Sequence, residues 1–466
     1  MWSIGYYFST KSMVKSNIDE EILSSKEAYT NFLKMAWPCV LEALLMCLVN
    51  VVDTFMVSTL GTNAIAAVGI TSQPKFLLFA IFFSLNVGVT AVVARRKGED
   101  NRESANMVLK ESLLVGLFFG IIMAIVGIAV ANPLLRLAGA ELHYLDDAII
   151  YFRIISVSIF FQGINIIINA AHRGCGNTKI TMVTNMIANI TNIFFNYVLI
   201  NGKLGFPKLG IKGAALATTI GCMVACLVAI ITLFRKKSYL NIFIAYKEKV
   251  TLHSLKSVFQ VSSSALVEQI FLRIGFMLYG MLAAKLGTVS YATHLICMTI
   301  LNLSFSFGDG FSIAASSLVG QMLGAKQVVL AKMYGKVGQR VAFIVSTGLC
   351  IFFYTGRNVL IQIFSEDPEI IAMGANILII MACSTHLQTS QLVSSGCLRG
   401  AGDSRYVAMT ALLSVAVVRP LSTYLLCFVL SFGIYGAWFA LMIDQMIRLT
   451  FAMKRLAGGR WSEIKL

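Results

Sequence analysis

The sequence predicts an all-α integral membrane protein of twelve transmembrane helices, built as two six-helix lobes related by internal, parallel duplication. Three observations predict it: a charge-poor composition, a dozen apolar runs of spanning length, and ordered matches between the two halves. Of 466 residues, 57% are hydrophobic and only 13% are charged, with a mean hydropathy of +0.78. Soluble chains carry about a quarter charged residues. Here the charge gathers in islands between apolar runs of roughly 20 residues or more, the length an α-helix needs to cross the hydrocarbon core.

The runs fall near 36–58, 66–94, 109–132, 144–171, 179–200, 210–234, 257–284, 290–320, 337–363, 370–397, 405–430 and 433–453. A formal net charge of +16 would suit a nucleic-acid partner, but the bias of Lys and Arg toward cytoplasmic loops accounts for it. No nucleic acid is therefore expected. Placing the N-terminus inside puts most loop Lys and Arg on one side, so both termini are expected in the cytoplasm of a multi-pass cell-membrane protein. The loop "NGKLGFPKLGIKG" is the exception. The expected segments are a cytoplasmic tail 1–35, an N-terminal lobe 36–234, a cytoplasmic linker 235–256, a C-terminal lobe 257–455 and a cytoplasmic tail 456–466. The N-terminus lacks a continuous apolar core, so it reads as a polar tail with an interfacial "WSIGYYF" rather than a signal peptide. The linker, "RKKSYLNIFIAYKEKVTLHSLK", is cationic and partly amphipathic, as an interfacial segment would be.

The duplication is written at a fixed offset of 226 residues. It lays "LEALLMCLVNVVDTFMVSTLGT" on "VEQIFLRIGFMLYGMLAAKLGT", pairing Glu42 with Glu268. It also lays Gly98 on Gly324 and "RGCGNT" on "RGAGDS"; "GIKGA" matches "GIYGA" after a three-residue deletion. Six spans per half make the copies parallel, and transporters built from parallel repeats hold substrate near the midplane and alternate access by rocking.

Asp53 is a carboxylate inside a span. A central Asp costs roughly 2.5–3.5 kcal/mol on insertion scales, so it is a functional-site hypothesis by default. Its alternative is a structural ion pair. Glu42 lies eleven residues before Asp53, close to three helical turns, so the two project from similar faces. Glu42 and Glu268 either line an aqueous path or close it by pairing with a cation, Arg273 being the nearest in sequence to Glu268. Asn185, Asn189, Asn192 and Asn196 share one helix face and either bond a neighbouring helix or help hold Asp53. Gln162, Asn165 and Asn169 repeat the spacing. Asn177 and Asp403 read as N-caps of the helices that follow, and His143 with Asp146 as an interfacial pair. Ten cysteines form no CxxC pair, and five histidines form no HExxH cluster. Neither a metal centre, a disulfide framework nor a cofactor is expected. No nucleophile–base constellation lies at span depth, so the chain does not read as an enzyme.

Pro38, Asp53, "STLGTNAIAAVG", "GQMLGAKQVVLAK" and the "RGCGNTKITMVTNMIANITNIFFNYVLINGKLGFPKLGIKGAALAT" stretch resemble the multidrug and toxic compound extrusion (MATE) antiporters, closest to their DinF-like branch with mixed features. The similarity runs from about Pro38 to Trp438. It implies a two-lobed exporter that expels lipophilic, often cationic, organic compounds in exchange for H+ or Na+ by alternating access. The resemblance makes Asp53 the ion-coupling carboxylate, with Na+ or a proton there, and adds Asn192, Asn196 and Thr218 to that site. Asn196 departs from an aspartate common in relatives. Pro38 matches a proline where the first helix is proposed to bend. Glu268 matches a seventh-span glutamate, while its tenth-span aspartate partner is replaced by Gln388, with Gln391 one turn on. Partners are expected to be small organic molecules, the coupling ion and the lipid bilayer, with the chain a monomer. The competing function is a flippase for lipid-linked precursors. That reading needs a strongly cationic cavity, whereas the intramembrane arginines Arg153, Arg273, Arg419 and Arg448 are scattered over four spans.

Overall fold

This computed structural model describes residues 9–13, 23–235, 238–247 and 253–464; the interfacial "WSIGYYF" stretch lies outside them. Twelve long helices carry the chain: α1 Ser25–Ser58, α2 Ser72–Gly98, α3 Arg102–Ala129, α4 Leu142–Gly174, α5 Thr178–Asn201 and α6 Ile211–Leu233, then α7 His253–Ala284, α8 Thr288–Gly324, α9 Val328–Gln362, α10 Pro368–Gly400, α11 Ser404–Val429 and α12 Gly433–Ala457. Among the described residues, eleven helices are long and apolar enough to cross a membrane. The exception is α12. At 25 residues it has the length, but Asp444, Gln445 and Arg448 dilute its apolar character. Its burial and its internal ion pair explain how it tolerates them.

The backbone repeats as the sequence does. Gly61 and Gly287 precede their helices at φ 101° and 102°, and Gly176 and Gly402 turn at 84° and 89°. Asp100 and Lys326, at the same offset, are left-handed without being glycine, at 52° and 61°. Close helix approaches are duplicated too. A methyl group on Gly174 would lie 2.8 Å from the Thr90 carbonyl oxygen, and Gly400 meets the equivalent Ser316 carbonyl still more closely. Small residues at such crossings let backbones touch where lipid supplies no hydrophobic drive.

Two compact units divide the chain, and the division cuts through helices. One comprises Met1–Ala43 with Ser263–Leu466, the other Leu44–Ser262. Thus α1 begins in the C-terminal unit and ends in the N-terminal one, while α7 does the reverse. Glycines seat both crossings: a Cβ on Gly310 of α8 would lie 2.8 Å from the Val40 nitrogen, and one on Gly88 of α2 would lie 2.7 Å from the Val258 carbonyl. The lobe limits read from hydropathy differ from these units by the opening stretches of α1 and α7, because hydropathy marks spans and not their neighbours.

The described part of the linker is strapped to α3. Arg102 Nε donates to the Tyr239 carbonyl at 3.0 Å, Asn106 Nδ2 donates to the same oxygen at 3.1 Å, and the Asn241 amide donates to Asn106 Oδ1 at 2.8 Å. Lys97 lies over the Tyr239 ring at 3.8 Å, and burial raises that phenol to about 12.

Two local expectations are corrected. Asn177 and Asp403 occupy N-cap positions without a side-chain capping bond; Asp403 instead accepts from Arg455 Nε at 2.7 Å. His143 faces Glu141, at 3.5 Å, rather than Asp146. Glu141 precedes α4, where an extended backbone turns its side chain toward the ring.

Candidate ion-coupling site

In the N-terminal unit, α1, α5 and α6 bring together Asp53, Asn192, Asn196 and Thr218. Asn196 Nδ2 donates to Asp53 Oδ1 at 2.6 Å. Turned so that its nitrogen faces the carboxylate, the Asn192 amide donates to Oδ1 at 2.9 Å and Oδ2 at 3.3 Å. Its oxygen then accepts from the Thr218 hydroxyl at 3.3 Å. A strip of α5 therefore serves one acid on α1, and α6 orients it from behind. No ion pair involves Asp53 among the described residues; its charge is met by neutral amides, with Lys75 and Tyr151 within electrostatic reach. Asp53 is half-buried. Such a carboxylate has lone pairs left over for a proton or a small cation.

The asparagine face of α5 divides. Asn185 belongs to a second group, where its Oδ1 accepts from Asn165 Nδ2 at 3.1 Å and Asn169 Nδ2 donates to Asn165 Oδ1 at 3.0 Å. Asn165 Nδ2 also faces Gln162 Oε1 at 3.5 Å. These amides join α4 to α5, which is the interhelical reading; Asn192 and Asn196 instead bond Asp53.

The C-terminal unit handles its carboxylates differently. Glu268 of α7 is ion-paired to Arg399 of α10, not to Arg273. Asp444 of α12 accepts from Arg419 and, at 3.0 Å, from Arg448, while Ser414 Oγ donates to its other oxygen at 2.5 Å. Two arginines that look scattered in sequence thus meet on one acid. Gln388 accepts from Ser304 Oγ at 3.3 Å and Gln391 donates to Ser395 Oγ at 2.8 Å, so the structure does not bring these glutamines to Glu268. Pro38 and Glu42 are buried in the part of α1 that belongs to the C-terminal unit; Asp53, on the same helix, belongs to the other.

Sequence reasoning missed Arg399, Asp444 and Asp309. Arg399 stands in "RGAGDS", 131 residues from its partner, so only the duplicated motif points to it. Asp444 and Arg448 are four apart on one helix, a spacing that signals a pair. Asp309, in "SFGDGF" on α8, has Arg399 as its electrostatic neighbour.

Comparison with known proteins gives the same fold. Residues 38–198 and 264–425 match the MatE family model, more than half of the chain. A Thermotoga maritima protein named "Probable multidrug resistance protein NorM" is 24% identical over 440 residues, covering 94% of each chain. The Bacillus subtilis "Uncharacterized transporter YisQ" is 25% identical over 433 residues, covering 92% of this chain and 94% of its own. Among solved structures, an outward-facing multidrug resistance MATE family transporter of the MOP superfamily superposes with TM-score 0.87 at 22% identity, over 93% of this chain and 97% of that one. A MATE structure in a bent conformation matches with TM-score 0.85 at 22% identity, over 93% and 96%.

Proposed function

This chain belongs to the MatE family, and from that premise we propose that it is a secondary active transporter. It expels lipophilic, often cationic, organic compounds in exchange for H+ or Na+ by alternating access. The observation that carries this reading is Asp53, an intramembrane carboxylate bonded by Asn196 and Asn192 and by no cation among the described residues. A pre-paired acid must give up its cation to load a proton or Na+, whereas this one has no ion-pair partner among the described residues to displace.

Loading at Asp53 removes the charge that the Asn192 and Asn196 amides satisfy, so their hold on α1 weakens. Pro38 lacks the amide proton that would close its helical turn, giving α1 a place to bend between Asp53 and its own start. A MATE relative has been seen bent, and that supports the same motion here. Glu42 and Glu268 then belong to gating, Glu268 through its pair with Arg399. We place the protein in the cell membrane with both termini cytoplasmic, working as a monomer.

The flippase alternative loses support. It needs free intramembrane cations, yet Arg399 holds Glu268, and Arg419 and Arg448 share Asp444. Efflux of ethidium or norfloxacin from reconstituted vesicles, with ΔpH and ΔpNa imposed in turn, tests the proposal. Efflux driven by one gradient or both is expected. Absence under each would favour the flippase.

A further inference from the structure

Asp309 stands in the middle of α8 with its side chain exposed, although it lies deep in the protein. Among the described residues it makes no hydrogen bond and no ion pair. Its electrostatic neighbour is Arg399, which is bonded to Glu268. Arg448 is within reach of Glu268 too, but it shares Asp444 with Arg419. These three acids and three arginines cancel in charge. What sets Asp309 apart is access: Glu268 and Asp444 are buried and bonded, whereas its oxygens are open and bonded to nothing described.

The backbone on either side is pinned. A Cβ on Gly308 would run into the Leu392 side chain of α10, and one on Gly310 would lie 2.8 Å from the Val40 nitrogen of α1. The acid is therefore presented from a rigid segment. Exposed Leu295, Thr299 and Asn302 precede it at helical spacing, and half-exposed Ile313 follows. A strip that carries a carboxylate is costly against hydrocarbon, so it lines open space. At the 226-residue offset the counterpart of Asp309 is Phe83, which stacks on Phe76 with centroids 5.1 Å apart. The shared fold does not require an acid at this position.

We propose that Asp309 is the docking point in the C-terminal unit for the charged centre of the exported compound, a lipophilic organic monocation. The inference rests on the export reading and adds an anchor for the cargo, separate from Asp53. One open carboxylate matches one positive charge. Phe305, one turn earlier and partly exposed, supplies ring surface of the kind that attracts cations. The contrast with Asp53 selects an organic ligand. Two amides bond Asp53, whereas Thr299 and Ser306 donate to carbonyls of α8 itself, at 3.0 and 2.9 Å. A bare Na+ at Asp309 would lose water without gaining replacements, which is costly; a diffuse charge on an apolar body loses little.

Binding of ethidium and tetraphenylphosphonium to the purified full-length protein is measured by calorimetry in detergent, with no gradient, and efflux is followed in vesicles. Asp309→Asn is isosteric at an open position and should unfold at the parent's Tm. It should raise both Kd values by about tenfold or more, while Asp309→Glu, which keeps the charge, stays within about threefold of the parent. No binding to the parent, unchanged Kd values in Asp309→Asn, or equal losses in the Asn and Glu variants would overturn the site. So would a sodium-induced rise in Tm that Asp309→Asn removes while monocation affinity stays the same. Efflux that persists with Kd unchanged in Asp309→Asn rejects the site and keeps the export reading. Binding that depends on Asp309 without efflux under either gradient supports the site and rejects the coupling.

Discussion

The duplication put α1, α5 and α6 at the same places in the repeat as α7, α11 and α12, and the two trios hold opposite chemistry. Asp53 on α1 becomes Tyr279 on α7, and Asn192 on α5 becomes Val418, next to Arg419. The N-terminal trio centres on an acid served by neutral amides, with no ion pair among the described residues. Its counterpart centres on two arginines that share Asp444. Tyr279, where the carboxylate would be, donates instead to the Ala437 carbonyl at 3.2 Å and lies against Arg419. At this position of the repeat the two halves thus differ in sign: a carboxylate with neutral amide partners in one, and beside Tyr279 an arginine in the other.

The largest effect that could break this contrast is at the acid itself. Asp53→Asn should abolish gradient-driven efflux while leaving membrane insertion and expression intact, as read by vesicle transport and membrane-fraction yield. Full efflux in that variant would remove Asp53 from the coupling mechanism.

The paired acids should respond through stability instead. Arg399→Met leaves Glu268 buried without its partner, a loss of about 3–5 kcal/mol for a buried pair broken on one side. Thermal unfolding in detergent should fall sharply, and Glu268→Met combined with Arg399→Met should recover most of it. If the double substitution is no better than the single, the pair is not a closed electrostatic unit.

The smallest effects separate the two amide groups on α5. Asn196→Ala removes one hydrogen bond to a charged group, about 1.5–3 kcal/mol, and should shift coupling-ion affinity by roughly tenfold or more, toward tighter proton binding because that bond serves the unloaded carboxylate. Asn185→Ala should cost only about 0.6 kcal/mol of interhelical bonding and leave ion affinity unchanged. Equal shifts in ion binding from both substitutions would merge the groups.

How much of this was legible follows from the range of each interaction. Span lengths, the duplication and the Asn face of α5 are local or periodic, so residue spacing alone reveals them. The grouping of Asp53 with Asn196 was legible because the asparagines repeat every three or four residues and because the resemblance points to them. Spacing alone did not divide that face between Asn185 and Asn192; the division depends on α4 packing along α5. Arg399 with Glu268, and Arg419 with Asp444, join different helices, and no periodicity within one helix encodes a partner on another. The π-helical winding of α11 was also hidden, since "LLSVAVV" has an ordinary apolar composition. Ser414 and Arg419, five residues apart across it, share one acid on another helix.

The crossing of α1 and α7 between the compact units has a genetic consequence. Each unit is completed by the opening of the other half's leading helix, which amounts to a reciprocal swap inside one polypeptide. A gene cut in the linker would yield two fragments, each carrying a stretch that belongs to its sister: Val40 is seated on Gly310, and Val258 on Gly88. Neither fragment is a self-sufficient module. The fused chain makes the exchange intramolecular, at an effective concentration that separate subunits reach only by dimerising.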